Sequence, residues 1–327
     1  MAELGQVGLW RDAPPPNSRR ENGELFPADC IFPSGRQALS HALLRTGLSR
    51  PTRVACPEWS SHCVLSAVGQ QATPIPMMEV VRNHIPVDAV VLYEQWGWPI
   101  PANVWETLTE TFPNSLVIWD RVDSADFLTR TQLPAPLIVA DVTSLSKLLG
   151  LPGGGILRYR GEYSKYEQGS NCLLTQHLLK ADEKLRSSLA YKEYFQNHRE
   201  ALHPDVLNWV QQNSLADAVT EESEARQRNL HLLMDTSCAA RWEPWMRRAV
   251  EEGAPAGIAP LFRGESPTKL AAIASRLQER HQMSTAIYHF NWSGNPISPS
   301  YELCLAFPVH GLTWDMESVL MELQRPL

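Results

Sequence analysis

Lys147 stands inside the run Ala140-Asp141-Val142-Thr143-Ser144-Leu145-Ser146-Lys147-Leu148-Leu149-Gly150-Leu151-Pro152-Gly153-Gly154-Gly155. An apolar strand that delivers one amine among hydroxyls to a glycine-rich turn is how a Schiff-base lysine is presented. Upstream, Ser115-Leu116-Val117-Ile118-Trp119 reads as a short buried strand ending in Asp120, 27 residues before the lysine. An amine and an acid at adjacent strand ends suit pyridoxal 5'-phosphate (PLP). The lysine would hold the aldehyde as an imine and move protons, and the carboxylate would face the ring nitrogen and keep it protonated as an electron sink.

Such a group also needs a phosphate anchor. Ser34-Gly35-Arg36-Gln37 opens a helix, so free backbone N–H groups and the positive end of the helix dipole would point at an anion, with Arg36 adding a charge-assisted contact. The plainer reading of this segment is a serine-capped helix carrying a surface arginine.

The elements that must position these residues follow from hydrophobic period. Helical spacing runs from Gly35 to Thr46, Ser60 to Gly69 and 101 to 111; strands are expected at 53–56, 73–77, 88–93, 115–119, 136–141 and 155–159. Short apolar strands alternating with helices predict an α/β domain with a mainly parallel sheet covered on both faces. Ligands of such sheets sit beyond the C-terminal strand ends, where Asp120 and the approach to Lys147 fall. The Trp96-Gly97-Trp98-Pro99 turn lies on that side, either lining a pocket or packing the turn. Residues 1–30, rich in Pro, Arg and Glu, read as an extended arm over the surface or onto a partner subunit. The large domain is expected over 31–205, with a long helical stretch from Asn171 to about 200. A small C-terminal α+β domain is expected over 206–327. The charged run Glu221-Glu222-Ser223-Glu224-Ala225-Arg226-Gln227-Arg228 reads as a solvated helix face. Glu58, His289 and His310 read as structural.

The 327 residues carry a net charge of −7, with 43% hydrophobic and 20% charged residues. These are globular values, and they offer no basic footprint for nucleic acid or an anionic membrane. A small-molecule or protein partner is expected. The six cysteines form no CxxC pair, which suggests neither a metal centre nor a disulfide framework. No stretch approaches the ~20 apolar residues of a membrane span, so a cytoplasmic protein is expected.

The order Ser34-Gly35-x-x-Ala38-Leu39, Val54-Ala55-Cys56-Pro57 with a following helix, Gly69 to Pro74, the strand ending in Asp120, and Lys147 with its trailing glycines resembles fold-type I PLP enzymes. It is most similar to the DegT/DnrJ-type sugar aminotransferases. Gly169-Ser170-Asn171 and the segment Cys304 to Thr313 add to the resemblance, which covers roughly residues 30 to 325. It implies a large PLP-binding domain, a smaller C-terminal domain, and a homodimer with shared sites in which Asn171 reaches the neighbouring subunit's phosphate. It also exposes departures. Arg36 replaces a threonine. Asp123 falls where a glutamine or histidine would donate to the ring hydroxyl, and a carboxylate there repels a phenolate unless protonated or turned away. Val142 replaces a phosphate-binding serine, leaving Thr143 or Ser144 to substitute. Trp59 and His62 are the candidates for covering the ring face, with His62 preferred. Leu173 replaces an arginine, which argues against an ordinary nucleotide-sugar substrate.

The leading expectation is amino transfer from an amino-acid donor to a keto or aldehyde substrate, a keto sugar or a secondary-metabolite intermediate. The alternatives are elimination, dehydration or decarboxylation at the same lysine, and a non-catalytic binding relative.

Overall fold

Strands covered on both faces must be apolar along their length, and Ala89–Tyr93 and Leu116–Asp120 are so, being almost wholly buried. The computed structural model describes residues 7–15, 31–125, 138–159, 202–313 and 316–325. Among these, seven strands form one sheet: Ile31–Phe32 (β1), Arg53–Cys56 (β2), Thr73–Pro76 (β3), Ala89–Tyr93 (β4), Leu116–Asp120 (β5), Ile138–Ser144 (β6) and Gly155–Tyr159 (β7). Their order is β1-β7-β6-β5-β4-β2-β3. The pairs from β3 through β6 are parallel, and β7 runs antiparallel to both its neighbours. The sheet is mainly parallel, as expected.

Helices Gly35–Arg45 (α1) and His62–Gln71 (α2) cover one face; Met77–Asn83 (α3) and Ala102–Thr111 (α4) cover the other. The α1 start follows from its sequence: Ser34 Oγ accepts the Gln37 N–H at 3.2 Å, and Ala38, Leu39, Ala42 and Leu43 form the stripe buried on the sheet. After β6 comes one short helical segment, Leu145–Leu149 (α5).

Helices Pro204–Gln212 (α6) and Leu215–Met234 (α7) lead to a second layer. There Ile258–Leu261 (β8), Ala286–Asn291 (β9) and Tyr301–Pro308 (β10) form an antiparallel sheet of order β8-β10-β9. Pro244–Glu251 (α8), Pro267–His281 (α9) and Met316–Leu323 (α10) pack with it. This is the α+β arrangement read from the tail. The turn after β4 inserts into the core of the second layer. Trp98 Nε1 donates to Ile258 O at 2.9 Å, and the Trp96 ring stacks 5.2 Å from Phe290. Among the described residues, no helix is long and apolar enough to cross a membrane.

Three expectations need correction. The amine is not delivered directly to a glycine turn: β6 extends to Ser144, and Lys147 lies within α5, because Leu145, Leu148 and Leu149 bury at helical spacing. The charged run 221–228 is not a solvated face. Glu222 and Arg226 of α7 are fully buried, since Arg11 of the N-terminal arm supplies a second buried cation. The described part of the arm, read as extended over the surface or onto a partner subunit, is anchored within this subunit. Val7 N–H donates to Gln282 O at 3.0 Å, Ser284 N–H donates to Val7 O at 2.8 Å, and Val7 and Arg11 are both buried.

Candidate active site

Parallel register aligns the strand ends. Tyr93 of β4 lies opposite Asp120 of β5, which lies opposite Val142 of β6, two residues before the β6 terminus at Ser144. The chain then turns into α5 and carries Lys147 back over the ends of β4 and β5. Gly150 ends α5 at a φ of +65°, and a Cβ there would lie 2.4 Å from Ala13 N, so a glycine is required where the arm crosses.

Lys147 Nζ lies 2.9 Å from Asp123 Oδ1, and the Tyr93 hydroxyl donates to Asp123 Oδ2. From the arm, the Trp10 ring centroid lies 4.9 Å from the same amine, a cation–π contact. Burial works to lower the Lys147 pKa, but the carboxylates of Asp123 and Asp120 outweigh it and hold the amine above its usual range. Its neighbour responds in the opposite sense: Asp120 is 2% exposed, and burial pushes its carboxyl from the usual 3.8 up to about 7. Lys147 and the Val122 N–H, 3.2 Å from Oδ1, pull it down, while Asp123 and Glu94 push it up.

That shift sets a sign. Between about pH 4 and pH 7 the folded, cofactor-free protein keeps a proton on Asp120 that the unfolded chain has released, so this group's contribution to stability falls as pH rises through that window. Asp120→Asn removes the burial of a charge and keeps an oxygen for Val122. The cofactor-free variant is expected to be more stable than the parent at about pH 8, by on the order of 2–4 kcal/mol, with the gain fading toward about pH 4. Urea unfolding at the two pH values measures this; a variant weaker than the parent at the higher pH would contradict it.

Lys147 and Asp120 both line a cavity of about 1130 Å³ between the two sheets. One end carries groups that could hold an anion. The first turn of α1 (Ser34 to Gln37), Ser144, Ser146 and Gly153 lie on its wall, and a Cβ on Gly35 would sit 3.1 Å from Val122 Cγ1, in the space that lets α1 approach the strand ends. Arg36 also lines it, and its buried Nε has no hydrogen-bond partner. An amine, an acid and an orphaned guanidinium nitrogen around one cavity fit a phosphorylated pyridine aldehyde. The opposite wall carries Trp59, His62, Trp96, Tyr288 and His289. Trp59 is stacked on His289 at 4.5 Å, whereas His62 stands at the first residue of α2.

The remaining expected residues are placed as follows. Thr143 is buried with its hydroxyl donating to Arg121 O at 3.1 Å, off the cavity wall, whereas Ser144 is on it. Asp123 lies behind Lys147, turned toward the amine. Asn171 lies outside the described residues, as does the helical stretch expected to about 200. In the Trp96–Trp98 turn, Trp96 lines the cavity and Trp98 packs in the core. Glu58 accepts the Met78 N–H at 2.7 Å but also lines the cavity, as does His289, whereas His310 Nε2 lies 2.9 Å from Gly8 O, a structural contact. Sequence reasoning missed Tyr93 and Trp10. Tyr93 could have been found as a hydroxyl at the end of the strand beside Asp120; nothing local marked Trp10.

Residues 22–160 match a family model described as "Putative PLP-dependent aminotransferase". Both Asp120 and Lys147 fall within that segment. No curated protein matches the chain in sequence. Among solved structures, the aminotransferase TlmJ from Streptoalloteichus hindustanus is 14% identical, with a TM-score of 0.53 over 89% of this chain and 83% of its own. NtdA from Bacillus subtilis, whose structure holds the cofactor PMP, is 12% identical, with a TM-score of 0.57 over 90% of this chain and 71% of its own. A DegT DnrJ EryC1 StrS aminotransferase from Brucella abortus is 14% identical, with a TM-score of 0.53 over 90% of this chain and 84% of its own. The fold is that of these α/β aminotransferases, and at such identities the chain is a divergent example of it.

Proposed function

We propose that this protein is a PLP-dependent aminotransferase, working as a cytoplasmic homodimer, that moves an amino group from an amino-acid donor to a keto or aldehyde substrate. The observation that carries this reading is the convergence of Lys147, Asp120 and the α1 start with Arg36 on one cavity at the ends of parallel strands.

The bound cofactor supplies an electron-accepting ring through which the amino group is exchanged. The residues divide the remaining work. Asp120 holds the proton of the ring nitrogen, since a buried carboxylate gains most by pairing with a cation. Arg36, Ser144 and the backbone around Gly35 bind the phosphate. His62 would cover the ring face, since the Trp59 ring is stacked on His289. Lys147 would hold the cofactor's aldehyde and would be the group that moves the proton at the donor's α-carbon. The homodimer, with Asn171 reaching across, is supported by the resemblance.

A single-substrate half-reaction tests the proposal. Holoenzyme given an amino-acid donor and no acceptor is expected to convert its cofactor stoichiometrically to pyridoxamine phosphate, read by absorbance and by chromatography of the released cofactor. A lyase built on the same lysine would return the aldehyde form with every donor, and that result, or a failure to take up PLP, would overturn it.

A further inference from the structure

We propose that Asp123 is a catalytic carboxylate in its own right: it is the counter-ion of Lys147 in the free enzyme and the acceptor of the proton the amine must lose before it can attack a carbonyl. The pair stands on geometry alone; its catalytic meaning rests on the aminotransferase reading.

Asp123 is fully buried and held from three sides. Oδ1 lies 2.9 Å from Lys147 Nζ, Oδ2 accepts from the Tyr93 hydroxyl, and its backbone carbonyl accepts from Arg226 Nη1 at 2.9 Å. A carboxylate fixed in this way stays within ion-pair distance of the amine. The other groups facing Lys147 are Asp120 from the end of β5, the Cys63 thiol from α2, the Tyr93 hydroxyl from β4 and the Trp10 ring from the arm. Behind Asp120, Glu94 is engaged by Arg121 Nε at 3.1 Å. Lys147 thus faces two acids, and the resting amine is an ammonium, which has no lone pair for attack on an aldehyde.

Asp123 Oδ1 is within hydrogen-bond reach of the reacting nitrogen. In the transfer one Nζ–H bond breaks and one Oδ1–H bond forms, so ammonium and carboxylate become amine and carboxylic acid with no change in net charge. Two buried charges vanish together, which a low-dielectric site favours over stranding either one. Tyr93 continues to donate to Oδ2, so the acid stays in place for the return of the proton.

The test uses cofactor-free protein and an amine reagent, trinitrobenzenesulfonate, with modification of the Lys147 peptide followed by mass spectrometry from neutral to strongly alkaline pH. In the parent, Lys147 is expected to label later in pH than a free lysine side chain. Asp123→Asn should shift its profile down by about one pH unit or more, equivalent to about tenfold faster labelling at about pH 8. Tyr93→Phe removes a hydrogen bond to the carboxylate without removing its charge, leaving a stronger counter-ion, so Lys147 should label more slowly than in the parent. This second variant carries the test should Asp123→Asn not fold. Unchanged Lys147 profiles in a folded Asp123→Asn, or in Tyr93→Phe where only that variant folds, would overturn the proposal. The outcomes separate from those of the functional reading. A shifted profile in a protein that takes up no PLP keeps the ion pair and ends the aminotransferase. A working half-reaction with an unshifted profile does the reverse.

Discussion

Lys147→Ala is expected to lower amino transfer by about 10⁴-fold or more, since proton shuttling by one positioned group contributes about 10²–10⁴-fold and the covalent anchor that orients the cofactor is lost with it. The long-wavelength absorbance of PLP bound to the parent should disappear at the same time. Lys147→Arg separates chemistry from charge. It keeps a cation against Asp123, which is fully buried, so it should be as inactive as the alanine variant while melting closer to the parent. Steady-state rates, the cofactor spectrum and thermal unfolding of both variants check this. Retention of more than about a hundredth of the parent rate by Lys147→Ala would remove the amine from the centre of the mechanism.

Glu222→Ala carries the largest expected effect on stability. Glu222 lies between two buried guanidinium groups: Oε1 accepts from Arg226 Nε at 2.6 Å and Oε2 from Arg11 Nη1 at 2.7 Å. Oε2 also accepts the Gly311 N–H at 3.1 Å. Removing the carboxylate leaves two cations facing each other away from water, and breaking a buried pair in this way costs about 3–5 kcal/mol. Arg11 ties down the arm that places Trp10 over Lys147, so the loss should extend to the site. Intrinsic fluorescence should report Trp10 entering water alongside a lower midpoint in urea. Replacing Arg11, Glu222 and Arg226 together by Met, Leu and Met should recover much of the loss, because no unpaired charge is then left buried. A loss below about 1 kcal/mol for Glu222→Ala would show that water reaches the cluster.

Much of the candidate site is legible in the sequence. Asp120 was read as the end of a strand because Leu116 to Trp119 is apolar throughout, and Gly35 was read as a helix start because serine precedes it and Ala38, Leu39, Ala42 and Leu43 follow at helical spacing. Lys147 was found by type and neighbours, although its segment was read as a turn. Five residues between Ser144 and a left-handed Gly150 are too few to show a helical period. The charged run was misread for a related reason. Propensity and charge describe a helix by itself, whereas the burial of Glu222 and Arg226 depends on Arg11, 211 residues away from Glu222.

The order of strands and helices, the acid, the amine and the serine-capped helix start are local properties, readable along the chain because dihedral preference, periodicity and side-chain chemistry act within a few residues. Pairings across the fold are of another kind. That Asp123 faces the amine, that Tyr93 steadies it, and that Trp10 of the arm lies against the same amine follow from which surfaces pack together. The energy of a buried charge is set by its neighbours in space, and neighbours far apart in sequence leave no periodic trace.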